Sequence, residues 1–156
     1  MDVKIEIKEM PEMKVAYIRH TGHFNQIGKV FEKLMKWAGP RGLLHFPETK
    51  TVTLYLDDPS VTAIEKVRQD ACVTLTGDAK VEGEIGKAII PAGKHAVGRF
   101  RIDASGFEKA WSTVCLWITE SGYQPYGNPY ELYYSSVEDA AQGIFDLDIC
   151  IPVKPL

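Results

Sequence analysis

The chain has 156 residues, 45% of them apolar and 25% charged, enough to bury a core of its own without disulfide or metal staples. A net charge of -3 excludes a general nucleic-acid binder, which needs a basic surface to neutralise phosphates. The alternating first residues, Met1 to Met10, do not read as a signal peptide, and no apolar run reaches membrane-spanning length. These features predict a cytoplasmic protein without membrane contact. Cys72, Cys115 and Cys150 are too few and too odd in number for a disulfide framework.

Along the chain, Val3 to Ile7 is a leading strand and Val15 to Arg19 a second. Ile27, Val30, Phe31, Leu34, Met35 and Ala38 form a helical stripe that Gly39-Pro40 stops. Thr51 to Leu56 and Asp70 to Leu75 are β-rich. The order then recurs. Lys87 to Ile90 leads, Ala96 to Ile102 comes next, and Phe107, Ala110, Trp111, Val114 and Ile118 make a second helical stripe. Ser105 and Glu108 have capping-box spacing, and Gly122 is placed to end the helix. Tyr130 to Tyr134 and Asp146 to Ile151 close the second half.

The recurrence extends to residues. Pro11, Lys14, Ala16 and Arg19 match Pro91, Lys94, Ala96 and Arg99 at one offset. Phe31 falls on Trp111 and Trp37 on Trp117. The offset then slips by two, so that Leu54-Tyr55 falls on Leu132-Tyr133 and Asp70-Ala71-Cys72 on Asp148-Ile149-Cys150. The expected fold is α+β: one domain, 1–156, of two strand-helix-strand-strand repeats, about 1–77 and 78–156. A largely antiparallel sheet carries one long helix per repeat, with a pseudo-two-fold axis and a ligand cleft between the repeats.

Glu131 is the main candidate for chemistry. It lies inside the aromatic run Tyr126 to Tyr134, and its repeat partner is Thr53, so the halves differ there. Strand alternation puts Glu131 and Tyr133 on one face, with Leu132 and Tyr134 opposite and packed into a core. An exposed strand glutamate is the plain alternative. Trp111, Trp117, Trp37, Tyr17, Tyr55, Tyr123, Tyr126, Phe24 and Phe46 are candidate aromatic walls, Trp37 and Trp117 reading better as core anchors. His20 and His23 lack the further ligands that a zinc site needs, and no phosphate loop or catalytic serine motif occurs. No metal, cofactor or catalytic residue is assigned.

Several stretches carry a family resemblance. They are Phe31-Glu32-Lys33-Leu34-Met35-Lys36-Trp37, Leu54-Tyr55-Leu56-Asp57-Asp58-Pro59 and Glu65 to Thr74, then Gly93-Lys94-His95-Ala96-Val97, Tyr130-Glu131-Leu132-Tyr133 and Asp146 to Cys150. In order and end to end, they resemble the GyrI-like proteins: the small bacterial DNA gyrase inhibitor and the effector-binding domains of AraC-type and MerR-type multidrug regulators. The resemblance implies the same doubled fold. It also implies a stand-alone form, since no helix-turn-helix segment precedes the first strand.

By the same resemblance, Glu131 sits where drug-binding relatives place a buried glutamate, and Trp111 matches a tryptophan near their pocket. The implied ligand is a hydrophobic, often cationic small molecule, held by Glu131, Trp111, Tyr133, Tyr126, Tyr17, Tyr55, Phe24 and Phe46. Two alternatives stay open. One is contact with DNA gyrase or a separate regulator. The other is hydrolysis of strained, cyclopropane-bearing toxins, as some stand-alone relatives perform.

Overall fold

A computed structural model describes residues 4–134 and 137–156. Val3, where the first strand is expected to begin, lies outside the described residues. Among the described residues, nine strands and two long helices make an α+β protein, as expected, and the chain divides into two compact units, each built on an antiparallel sheet.

The first unit to form a continuous stretch is Glu12–Pro91. Its strands are β2 (Met13–Thr21), β3 (Thr51–Tyr55), β4 (Arg68–Thr74) and β5 (Ile85–Ile90), in the order β5-β2-β4-β3. Helix α1 (Ile27–Ala38) covers one face. Leu34, Trp37 and Ala38 of α1 close over Ala16, Ile18 and Val73, residues that alternate along their strands and so share that face. Gly39-Pro40 does stop the helix, at Ala38.

The other unit joins Met1–Pro11 to Ala92–Leu156. Strand β1 (Ile5–Met10) pairs with β6 (Gly93–Ile102), which pairs with β9 (Phe145–Pro155). Beyond β9 lies β8 (Tyr130–Tyr133), and the short β7 (Tyr123–Pro125) pairs with the far end of β9. Helix α2 (Phe107–Thr119) packs Ala110, Val114 and Ile118 onto Ala96, Phe100, Leu147, Ile149, Ile151 and Val153. A five-residue helix, α3 (Val137–Ala141), precedes β9.

Each leading strand therefore pairs in a sheet whose other strands come from the opposite half of the sequence. Ile7 faces Ala96, while Ala88 faces Val15. The units thus cut the chain at other places than the sequence repeats.

Two local details depart from the sequence reading. Ser105 does not cap α2. Asp103 does the capping, accepting from the Ser105 N–H at 2.9 Å at the head of a one-turn 3-10 helix that leads into α2. Tyr134 does not pack into an apolar core. Its hydroxyl donates to Asp148 at 2.6 Å, and the Arg99 guanidinium lies 3.8 Å from its ring centre. The reason is that this face of β6 and β9 carries Arg99, Asp146 and Asp148, and Arg99 also donates to Asp146 at 2.7 Å.

Candidate functional site

The register sets the site. Thr53 faces Ala71 across β3 and β4, and Glu131 faces Ile149 across β8 and β9. With Ala71 matching Ile149 in the repeat, Thr53 and Glu131 are equivalent, as the sequence alignment has it. Because Ile149 belongs to the cluster under α2, Glu131 and Tyr133 lie on the helix-covered face of the sheet.

There Glu131 is only 3% exposed. Desolvating a carboxylate so fully costs several kcal/mol without compensating bonds, so donors must surround it. Two are aromatic side chains. The Trp111 indole N–H donates to one carboxylate oxygen at 2.6 Å. The Tyr133 hydroxyl donates to the other, also at 2.6 Å. Both bonds are short, as expected of charge-assisted hydrogen bonds. The three residues come from two elements. Trp111 is one turn into α2 and half-buried, and Tyr133 follows Glu131 by two on β8.

Trp111 and Tyr133 also pack on the apolar cluster that includes Ile149, so the carboxylate has an apolar floor. Ile149 has a clear role in this floor. Its signal in the sequence is the repeat match to Ala71, where a larger side chain replaces a methyl group. What the site holds is one buried carboxyl group edged by two π systems.

The remaining aromatic candidates are dispersed within their units. Tyr126 is 62% exposed on the turn before β8, with the Lys154 ammonium 4.9 Å from its ring centre. In the unit Glu12–Pro91, Phe24 and Tyr55 meet edge to face at 5.8 Å. Tyr17 lies on the face of β2 away from α1, with its ring over Gly86 and the Arg19 guanidinium 5.6 Å from its centre. Phe46 is 59% exposed on the α1–β3 loop. Trp37 is buried in the α1 core, and Trp117 packs against the α2 cluster.

Elsewhere, burial shapes the titratable groups. Cys72, Cys150 and Tyr130 are all pushed up by desolvation, which keeps them neutral, and no cysteine is in a disulfide. Burial pushes His95 down, against the opposing pull of the Gly93 carbonyl that its Nδ1 meets at 2.8 Å. Among the described residues no three His, Cys, Asp or Glu side chains gather as a metal site, and no helix is long and apolar enough to cross a membrane.

The doubled α+β fold is that of a class of small-molecule binding domains. The chain belongs to the GyrI-like family: the model of the GyrI-like small molecule binding domain matches residues 3–154. A DNA gyrase inhibitor of Serratia proteamaculans is 35% identical, with 99% of each chain covered. DNA gyrase inhibitor 2 of Dickeya dadantii is 31% identical over 93% of this chain and 92% of its own. Among solved structures, the C-terminal domain of EcmrR superposes with a TM-score of 0.81 at 21% identity, each chain covered fully. SAV2435 bound to tetraphenylphosphonium gives 0.60 at 13% identity, over 97% of this chain and 94% of that one.

Proposed function

We propose that the protein binds hydrophobic organic cations at Glu131, with Trp111 and Tyr133 as the flanking rings. The observation that carries this reading is a 3%-exposed carboxylate whose two oxygens each receive a 2.6 Å hydrogen bond from an aromatic side chain. The bonds hold the carboxylate in place, so binding needs no reorganisation of the charge. A ligand cation then gains Coulombic attraction in a poorly solvated setting and about 0.5–2 kcal/mol from ring faces.

The test is a pair of ions matched in shape and opposite in charge. Tetraphenylphosphonium, the ligand of the fold relative SAV2435, is expected to bind with saturable heat. Tetraphenylborate is expected not to. Equal binding of both would show that shape and not the carboxylate governs the site.

A second reading is favoured by the relatives named as DNA gyrase inhibitors at 35% and 31% identity. It holds that the protein contacts gyrase. Purified protein in molar excess should then slow supercoiling by gyrase in a gel assay, and unchanged supercoiling would count against it.

A further inference from the structure

The two long helices are not covered alike. In the unit Glu12–Pro91, residues 75–84 run from β4 to β5 and act as a strap beside α1. Val81 of the strap is half-buried against the cluster that holds Trp37, together with Val30 and Ile85. Two ion pairs tie the strap down. Glu84 meets Lys33 on the helix, and Glu82 meets Arg41, just beyond the end of α1, at 3.4 Å.

In the other unit the equivalent place is open. A groove of about 470 Å3 lies beside α2, lined by Ile5, Ile102, Leu116 and Trp117, with Lys109 and Glu120 among its polar residues. The repeat offset makes the two places comparable. Ile5, Ala110, Thr113 and Trp117 line the groove, and their counterparts Ile85, Val30, Lys33 and Trp37 are the residues that the strap joins. The strand registers agree: Ile5 faces Gly98 and Ile85 faces Ile18, each pair one offset from the other. The sister unit thus shows what such a groove takes, a short non-helical segment with one aliphatic side chain inward and charges turned to the helix.

The groove also has a signature of its own. On α1 the place of Leu116 is held by Lys36, which pairs with Glu32 at 3.4 Å, whereas Leu116 is apolar and 63% exposed. Beside the half-buried Ile5, Ile102 and Trp117, it carries the apolar patch out to the surface. The charges differ as well. Ser121 stands at the place of Arg41, and Glu120 before it reverses the charge there. Thr113 stands at the place of Lys33, with Lys109 one turn earlier. Neither Lys109 nor Glu120 forms an ion pair with another described residue.

We infer that this groove docks a short extended segment of a partner protein, whose aliphatic side chain enters beside Ile5, Leu116 and Trp117 while a basic residue meets Glu120 and an acidic residue meets Lys109. Apolar burial supplies most of the binding, and the two charges fix the direction in which the segment lies. The strap sequence, Val81-Glu82-Gly83-Glu84, has an acidic residue where this groove asks for a basic one, so it is disfavoured here.

The probe is a synthetic peptide with blocked ends, Ala-Lys-Val-Lys-Gly-Glu, compared with the strap sequence Ala-Lys-Val-Glu-Gly-Glu. Each is titrated into the full 15N-labelled chain and followed by NMR. The first should give saturable shifts at Lys109, Thr113, Leu116 and the Trp117 indole, and the second should bind about fivefold more weakly. Leu116→Lys, which installs the residue of α1, should weaken the first peptide about tenfold. Glu120→Lys should reverse the preference between the two peptides. Both positions are exposed, so these variants should keep the melting temperature of the parent. Three results overturn the inference: no saturable shift at the groove with either peptide; equal affinity for both peptides in the parent and in Glu120→Lys; or sedimentation showing that the chain alone is a dimer which Leu116→Lys dissociates, making a second copy the occupant.

Discussion

Replacing Glu131 by Gln separates charge from shape. The amide fills the same volume. Its oxygen can still accept from the Trp111 indole, and its NH2 group can donate to a Tyr133 hydroxyl that turns from donor to acceptor. Two charge-assisted bonds become two neutral ones, a loss of about 1 kcal/mol each. The desolvation of a buried charge, several kcal/mol, is relieved at the same time. Stability in urea should therefore stay within about 1 kcal/mol of the parent. Ligand affinity has no such offset. A cation about 5 Å from the carboxylate, at an effective dielectric near 20, gains about 3 kcal/mol, or about two orders of magnitude in Kd. Part of this survives as the amide dipole, so calorimetric titration with tetraphenylphosphonium should show a loss of about 30-fold or more. Glu131→Ala should behave differently. It leaves an indole N–H and a hydroxyl without their acceptor, and stability should fall by about 2–4 kcal/mol. A Glu131→Gln protein that binds within about threefold of the parent would refute the charge argument.

Three further outcomes rest on the same geometry. Trp111→Phe installs the residue that α1 carries at the equivalent place, Phe31; it should lower cation affinity about fivefold or more and stability by about 1–2 kcal/mol, read by calorimetry and urea unfolding. Gly98→Ala places a methyl group 2.8 Å from the Phe100 ring and 3.0 Å from Val114, so the α2 core must shift, and stability should fall by about 1–3 kcal/mol in the same unfolding assay. For His95, burial favours the neutral ring, so the unfolded chain takes up the proton first as pH falls below about 6.5. The melting temperature should drop between pH 7.5 and 5.5, and His95→Gln should flatten that part of the curve.

Much of the fold was legible because repetition and periodicity reinforce each other. The two helical stripes lie where α1 and α2 form, and the slip of two residues in the repeat offset reappears in the strand registers. Arg19 faces Asp70 and Arg99 faces Asp148, so residues matched on either side of the slip meet in each half. Strand alternation also placed Glu131 and Tyr133 on one face. Which of the two faces the helix covers was not legible, because a strand with Tyr130 and Leu132 on one side and Tyr133 on the other is apolar on both. The setting of Tyr134 was not legible for a related reason: its polar partners, Arg99 and Asp148, come from other strands whose register the sequence does not give. Asp103 competed with Ser105 for the cap, and the side chain nearer the chain entry made the bond. The pairing of each leading strand could not be read from the sequence at all. Strands β1 and β5 have the same length, and equally short links join them to β2 and β6.

That pairing has a consequence for how the chain is made. The stretch Glu12–Pro91 holds every strand of its own unit, so its sheet can close once Pro91 has left the ribosome. Strand β1 is synthesised before β6 yet must wait for it, through the synthesis of the whole intervening unit, before its edge is covered. In the interval its exposed backbone is guarded by charges: Glu6, Lys8 and Glu9 crowd a short strand with Lys4 just before it, and Lys4 and Lys8 both reach Glu6. Neutralising those four residues should leave the finished protein almost as stable while increasing the fraction that aggregates during synthesis.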